Sequence, residues 1–549
     1  MEGNPTKDFV KRYQHWILAI LSAILLFCSF PNANLFPLAW VALVPLFVAL
    51  TQAKSWKSAF GMGYLTGFLF FAGTLLAILL LYPYANIYAT LLGYLLLVGY
   101  TALYFGVFAA LIHMLPWRAG VLFPIAAACI WTALEWVRSW MLTGFPWGSI
   151  GYSQWNNLPG VQIASIFGVH GVSFVIVLFN AGIARVIFNA SHPVVLRRAS
   201  FLKLLRMPAT IVPLLVTLAC FAYGILQLQS EEARVQSADA NQNSLNVALV
   251  PGNIPQLQKW NRNEVPAILH RYITLTRQAS TASPELIVWP ETAVREKIVT
   301  GDWPTYHGRF RRLLQETGVP FLLGTTHRDA SKKLFNSVFL LSSQAEKRGQ
   351  YDKMHLVPFG EYVPLRRFIP DFFPNFILFE PFEPGKKVNL LPLSNVKEKG
   401  TEKIDIGVAI CFESVFPDHF RKFVQEGAKV MGILTNDAWF VGTAFPEQHL
   451  SMAPFRAVEN RIAVFRCANG GISCVVDKFG RNLTPLITPD TTQEVLVTRV
   501  PLLTEDRQTL YTRYGDWLPF FCTILCVGWL AWILYERRKL NARRTENSS

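Results

Sequence analysis

The sequence predicts two structures in one chain: an α-helical membrane bundle of about eight spans and a layered α/β domain held outside the cytoplasm. Three observations predict this. Of the 549 residues, 52% are hydrophobic and only 16% charged, against about 25% charged in ordinary soluble domains. The long apolar runs crowd the first 230 residues and recur once near the C-terminus. Between them, residues 231–516 alternate short β-rich runs with helical stretches, the pattern of an α/β layered domain.

The apolar runs mark spans near 14–31, 36–52, 59–82, 87–115, 120–137, 163–187, 208–229 and 517–535. Most approach or exceed the ~20 residues a helix needs to cross the hydrocarbon. The second is short and contains Pro37 and Pro45. Lys and Arg set the orientation. They sit before span 1 (Lys7, Lys11, Arg12), between spans 2 and 3 (Lys54, Lys57) and between 4 and 5 (Arg118). They recur at the 6–7 connection (Arg185, Arg197, Arg198, Lys203, Arg206) and in the tail (Arg537, Arg538, Lys539, Arg543, Arg544). The alternate connections, 31–35, 83–86 and 138–162, contain only Arg138. This positive-inside pattern puts both termini in the cytoplasm and 231–516 on the far side. Span 1 lacks a small-x-small cleavage site, and Phe27 precedes Cys28 where a lipoprotein-type site wants a small residue, so span 1 reads as an uncleaved anchor. Glu135, near the end of span 5, is expected to be an interfacial partner of Arg138.

The formal net charge of +15 follows the same division. Residues 231–516 hold 34 Lys/Arg and 31 Asp/Glu, leaving 51 − 34 = 17 and 36 − 31 = 5 for the rest. The basicity therefore belongs to the apolar part, where topology explains it, and no nucleic-acid partner is expected.

In the exported segment the β-rich runs are 245–250, 286–289, 321–324, 337–341, 404–410, 430–434, 472–476 and 494–498, with helices at 264–280 and 446–463. Pro454 should bend the second helix. Residues 230–244 read as a linker. Three strand ends carry chemistry, where sites in α/β domains usually sit. One runs into Trp289-Pro290-Glu291-Thr292, one precedes Tyr351-Asp352-Lys353-Met354-His355 and continues to Glu361, and one delivers Cys411-Phe412-Glu413. A thiol is only slightly ionised at neutral pH and needs a base or a positive neighbour. Glu291 can take the proton, and Lys353 can favour the thiolate and then hold an oxyanion, with the Phe412 N–H completing the hole. No histidine is required; His419 reads as surface. Three cysteines lie in this segment, Cys411, Cys467 and Cys474. Three cannot all pair, and Cys467 and Cys474 either form a disulfide or are simply buried.

These residues carry a family resemblance. W-P-E-T, Y-D-K-x-H-L-V-P-F-G-E and C-F-E, in that order, resemble the nitrilase superfamily, whose Glu–Lys–Cys triad falls on Glu291, Lys353 and Cys411. Embedded in a multi-span chain, the whole resembles the bacterial apolipoprotein N-acyltransferases. The resemblance includes Gly252-Asn253-Ile254-Pro255-Gln256 with Trp260, Thr435-Asn436-Asp437-Ala438-Trp439-Phe440, Arg456-Ala457-Val458-Glu459-Asn460 and Phe145-Pro146-Trp147-Gly148-Ser149. It implies a nitrilase-like αββα sandwich and a chain divided as 1–230 (seven-span bundle), 231–516 (periplasmic catalytic domain) and 517–549 (final span and basic tail of a bacterial inner-membrane protein). It implies a phospholipid donor, typically phosphatidylethanolamine, whose acyl chain passes through a cysteine thioester to the α-amine of an S-diacylglyceryl-cysteine apolipoprotein. It also implies that Glu361 and Glu413 support the triad and that Trp260, Phe412, Trp439 and Glu459 shape the pocket or hold substrate.

No cofactor or metal is expected, because the histidines are scattered and no phosphate or dinucleotide fingerprint occurs. Two rival readings remain. A membrane-anchored nitrilase-type amidase shares the triad, but eight spans exceed what an anchor needs. A transporter with an exported ligand domain predicts ionisable residues in several spans, and Glu135 stands nearly alone. Finally, segment 366–385 holds six Phe and four Pro, too many Pro for a regular helix. It reads as a mobile apolar arm touching the outer leaflet and admitting acyl chains, with a core-packed loop as the alternative.

Overall fold

The computed structural model describes residues 5–31, 33–84, 86–115, 122–191, 207–237, 243–364, 380–397, 400–489, 494–503 and 508–546. The bundle is built from α1 (Pro5–Ser29), α2 (Val44–Leu50), α3 (Trp56–Thr74), α4 (Ile87–Met114), α5 (Leu122–Trp140), α6 (Ala164–Ser191) and α7 (Pro208–Ser237). Polar caps set two of the starts: Ser55 accepts from the Ser58 N–H before α3, and Asn86 from the Tyr88 N–H before α4. Such caps satisfy amides that the helix leaves unpaired. Gly63 and Gly67 let α3 close on α4: a Cβ at Gly63 would stand 2.3 Å from the Phe105 carbonyl oxygen, so only glycine fits this small-xxx-small contact.

Among the described residues, three helices are long and apolar enough by themselves to cross a membrane, Ile87–Met114, Ala164–Ala190 and Pro208–Ser230. The second predicted span is not one helix. Its prolines open a 3-10 turn, Phe36–Trp40, and then α2, which has seven residues. At 1.5 Å per residue α2 is about 10 Å long, a third of the ~30 Å hydrocarbon. Within α6 the chain breaks at Gly168, where φ is +66° and a side chain would strike the Tyr511 ring.

The α/β domain contains two sheets. The first runs β11-β1-β2-β3-β4-β5, where β1 is Ser244–Leu249, β2 Leu286–Val294, β3 Phe321–Arg328, β4 Leu334–Leu341, β5 Lys347–Asp352 and β11 Leu496–Pro501. The second runs β10-β9-β8-β7-β6, with β6 Leu391–Lys397, β7 Gly400–Ile410, β8 Val430–Asn436, β9 Val464–Asn469 and β10 Cys474–Val476. In each sheet three neighbouring strands run parallel: β1, β2 and β3 in one, β7, β8 and β9 in the other. Val247, Val288 and Leu322 of one sheet share a core with Ile406, Val408 and Ile433 of the other. Helices α8 (Val265–Ser280) and α9 (Pro304–Thr317) cover the outer face of the first sheet. Phe420 and Phe423 of α10 (Pro417–Gln425) and Ala457 of the helix Ala453–Asn460 pack on the second.

The expected helix 446–463 is two helices, α11 (Phe445–Leu450) and α12 (Ala453–Asn460), broken as Pro454 requires. The expected linker begins as helix, since α7 continues to Ser237. Three strands were not legible: β5 is a polar edge, β6 carries Pro392, and β9 places Arg466 and Asn469 among apolar residues. Of the apolar arm, residues 366–379 lie outside the described residues. Its return is fixed: the Phe382 N–H donates to the Glu361 carbonyl and the Gly385 N–H to that of Lys353.

One short helix, α13 (Leu510–Tyr514), leads into α14 (Trp517–Glu546), which packs on α5. The bundle core is continuous with the α/β domain, reaching Val415, Phe416, Met452, Phe455 and Val458. The loop after α5 makes this seam. Trp147 stacks on Phe445 at 4.4 Å and donates from Nε1 to Gln448.

Candidate active site

Strand ends deliver the chemistry. β2 continues through Glu291, which is buried. Asn336, on β4, donates to Glu291 Oε1 at 2.7 Å, and the Asn436 N–H at the end of β8 donates to Oε2 at 2.9 Å. Both carboxylate oxygens are therefore held by fixed donors. Lys353 follows β5 and is 1% exposed. Its Nζ lies 3.3 Å from Glu291 Oε1 and 2.9 Å from Glu361 Oε1. Burial disfavours the Lys353 ammonium, but Glu291 and then Glu361 outweigh it and hold its pKa above the ordinary lysine value. Glu361 also accepts from the Val357 N–H and shares Asn336. It thus fastens the loop that carries the lysine.

Cys411 ends β7 and opens a short 3-10 turn, Cys411–Val415. Its φ is +52°, a conformation that costs a non-glycine residue on the order of 1 kcal/mol and persists only where the surroundings enforce it. The thiol is half-buried. Burial pushes its pKa up, Glu291 adds to this, and Lys353 opposes it without reversing it. Burial and the Glu291 charge thus both favour the protonated thiol over the thiolate.

Glu413 is fully buried and does not face the reaction space. Its Oε2 accepts from the Ile410 N–H, and its Oε1 from Tyr351 Oη and the N–H groups of Met354 and His355. It ties the cysteine turn to the lysine loop. Burial pushes this carboxyl up, but His419 and the N–H donors prevail and bring it down to about 2. His419 is therefore not a surface residue: it lies 3.4 Å from Glu413 and bonds Tyr351.

The remaining expected residues are scattered. Phe412 is half-buried, beside the His355 and Phe416 rings, which lie 3.8 Å apart, and packs on the bundle core. Trp439 meets Tyr84 of the bundle at 4.8 Å. Trp260 sits beneath the Arg295 guanidinium and, with Lys259 and Thr292, lines a cleft beside the end of β2. Glu459 is not in the site. It is fully buried at the seam, where it accepts from Arg456 Nη2 at 2.8 Å and from the Val169 N–H at 3.0 Å. Its charge partner is Arg456 and not a member of the Glu–Lys–Cys group. Glu135 does not pair with Arg138 either: it accepts from the Ile150 N–H, while Arg138 holds the Phe145 carbonyl and Ser149 Oγ. Cys467 and Cys474 are both free and buried, so the disulfide alternative falls.

Sequence reasoning missed Asn336, Asn436 and Lys259. Lys259 Nζ donates to the Glu291 carbonyl, and burial lowers its pKa to about 8 against the pull of Glu291 and Cys411. Asn436 stood within a noted motif; Asn336 left no signal, because a strand Asn reveals its partner only in three dimensions.

Two family models match the chain: the apolipoprotein N-acyltransferase N-terminal domain over residues 22–182 and carbon-nitrogen hydrolase over 246–507. An apolipoprotein N-acyltransferase of Geobacter metallireducens is 37% identical over 531 residues, covering 94% of this chain and 95% of its own. That of Haemophilus influenzae is 30% identical over 544 residues, covering 97% of each. That of Chlorobaculum tepidum is 30% identical, covering 95% of this chain and 97% of its own. Helical bundle, two-sheet domain and the Glu–Lys–Cys strand ends all fall within these full-length matches, and the chain belongs to the apolipoprotein N-acyltransferase family, membrane acyltransferases of the nitrilase superfamily.

Proposed function

We propose that this protein moves an acyl chain from a membrane phospholipid, typically phosphatidylethanolamine, to the N-terminal α-amine of S-diacylglyceryl-cysteine on an apolipoprotein. Cys411 is the nucleophile. Glu291 accepts the thiol proton as sulfur attacks the sn-1 ester carbonyl, and Lys353 with the Phe412 N–H stabilises the oxyanion. The intermediate collapses with cleavage of the ester C–O bond, Glu291 returns its proton to the departing lysophospholipid hydroxyl, and a thioester remains on Cys411. The neutral acceptor amine then attacks that carbonyl, and Glu291 accepts the amine proton. The C–S bond breaks, and the proton returns to Cys411. Trp260, Phe412 and Trp439 contact the substrates.

The α/β domain, 231–516, faces the periplasm in this reading, between seven spans and the last one in a bacterial inner membrane. The confinement of Lys and Arg to alternate connections supports it. The observation that carries the chemistry is the shared lysine: Lys353 stands between two carboxylates, with a half-buried thiol close enough to feel its charge. The test is reconstitution with phosphatidylethanolamine and a diacylglyceryl peptide. N-acylated peptide and lysophospholipid are the expected products. Free fatty acid alone would indicate a hydrolase and reject the transfer.

A further inference from the structure

A second polar chain lies behind the cysteine turn, with no assigned role. Ser414 Oγ donates to the Cys411 carbonyl oxygen at 2.8 Å. His449 Nε2, from α11, lies 2.9 Å from that hydroxyl and 3.2 Å from the same carbonyl. His449 Nδ1 is 3.0 Å from Asp437 Oδ1. Asp437 in turn accepts from Thr435 Oγ1 at 2.9 Å and from Arg466 Nη2 at 2.6 Å. Ser414, His449, Asp437 and Arg466 are all buried, the most exposed at 2%. The ring of Trp147, from the bundle, is 5.7 Å from that of His449.

The chain resembles a serine nucleophile with its base, but Ser414 is 1% exposed and its hydroxyl points at protein. Its contact is the carbonyl of the nucleophile. A peptide unit is planar and trans, so its C=O and the following N–H point in opposite directions. Fixing the Cys411 carbonyl toward Ser414 and His449 therefore aims the Phe412 N–H away from them. That N–H is the second oxyanion donor in the reaction above. The grip falls on a residue whose φ is +52°, a conformation that a non-glycine residue keeps only where its surroundings hold it.

We propose that Ser414 and His449, the latter anchored by Asp437, are positioning residues that orient the Cys411–Phe412 peptide and so aim the oxyanion donor. This rests on Cys411 being the nucleophile. The role predicts a specific split. Orientation of the donor matters where an oxyanion forms and not where the sulfur is alkylated, since alkylation develops no such charge.

The experiment uses the full chain in detergent with phosphatidylethanolamine micelles. Single-turnover thioester formation on Cys411 and alkylation of Cys411 by iodoacetamide are measured for wild type, Ser414→Ala, His449→Leu and His449→Gln. Thioester formation should fall about tenfold to a hundredfold in Ser414→Ala and His449→Leu, less than or comparable to losing one oxyanion donor outright. Alkylation should stay within about twofold of wild type, and the apparent KM for phospholipid should not move. His449→Gln, which keeps a side-chain amide within reach of the carbonyl, should recover most of the rate. Wild-type thioester rates in both Ser414→Ala and His449→Leu would overturn the inference alone. A parallel loss of alkylation would assign the chain to general folding and overturn it too. Absence of any Cys411 thioester in wild type would overturn the nucleophile assignment and this inference with it.

Discussion

Two of the carboxylate–cation clusters buried in the α/β domain look alike by composition and differ in what surrounds them. At the strand ends, Lys353 is shared by Glu291 and Glu361, and its charge reaches the half-buried Cys411. At the seam, Arg456 and Glu459 are both fully buried, and the guanidinium meets both oxygens of the carboxylate at 2.8 Å. The seam pair is closed: Tyr152 accepts from Arg456 Nη2, Val415 O from Nη1, and the Val169 N–H takes up Glu459 Oε1. Tyr152 and Val169 belong to the bundle and Val415 to the cysteine turn, so the pair fastens one to the other. The difference teaches that burial and charge pairing alone do not mark a catalytic carboxylate. A reactive one keeps a proton acceptor next to a group that has a proton to lose.

Mutations should separate the two clusters, and the largest effect belongs to the first. Cys411→Ala should form no acyl-enzyme and no product, read by mass spectrometry of the purified protein. Glu291→Gln keeps the size and loses the base, so the thioester should also fail to accumulate. Lys353→Met should cost ~3–4 kcal/mol of transition-state stabilisation, a rate loss of about 10²–10³. An acyl group mapped to Cys467 or Cys474 would break the comparison at its first term.

Next in size is the seam. Glu459→Gln or Arg456→Met leaves one buried charge without its partner, a loss of about 3–5 kcal/mol in stability. The unfolding midpoint in detergent should drop, while protein that remains folded at low temperature should still acylate Cys411. Loss of the thioester in folded Glu459→Gln, with stability unchanged, would return Glu459 to the site.

Acid should then expose the bracing carboxylates. Glu413 and Asp437 are both held at about 2, burial being outweighed by His419 and N–H donors for Glu413 and by His449 and Arg466 for Asp437. Unfolded Glu and Asp titrate near ~4. The unfolded chain therefore takes up these protons first, so the stabilisation is complete above about pH 5 and is lost as pH falls from ~4 toward 2. It amounts to on the order of 2–3 kcal/mol for each group. Thermal unfolding between pH 5 and pH 3 should show the decline in wild type and a shallower one in Glu413→Gln. The smallest effect is expected at Cys467→Ala and Cys474→Ala: both side chains are buried thiols away from the triad, so each should cost about 1–2 kcal/mol and leave acyl-enzyme formation intact.

Much of this architecture was legible because apolar periodicity records a requirement of each segment on its own. A run such as 87–115 must be helical and buried in lipid or protein whatever its neighbours, and the helix Ile87–Met114 follows it closely. The strands entering Glu291 and Cys411 announced themselves as apolar runs ending in polar residues, for the same reason. The triad order and the break at Pro454 likewise depend on local chemistry alone. Tertiary structure decided the rest. Glu459 and Glu413 are both glutamates beside apolar residues, yet one locks the bundle seam and the other spans the lysine and cysteine loops. Arg466 lies on β9, a strand the sequence did not reveal, and its partner Asp437 stands 29 positions away. The sequence alone determined where apolar surface must be hidden and which residue types end the strands. Which buried polar group meets which partner was settled only by the fold, because a hydrogen bond or ion pair requires two groups within about 3 Å, and chain spacing says nothing of that distance once the chain has turned.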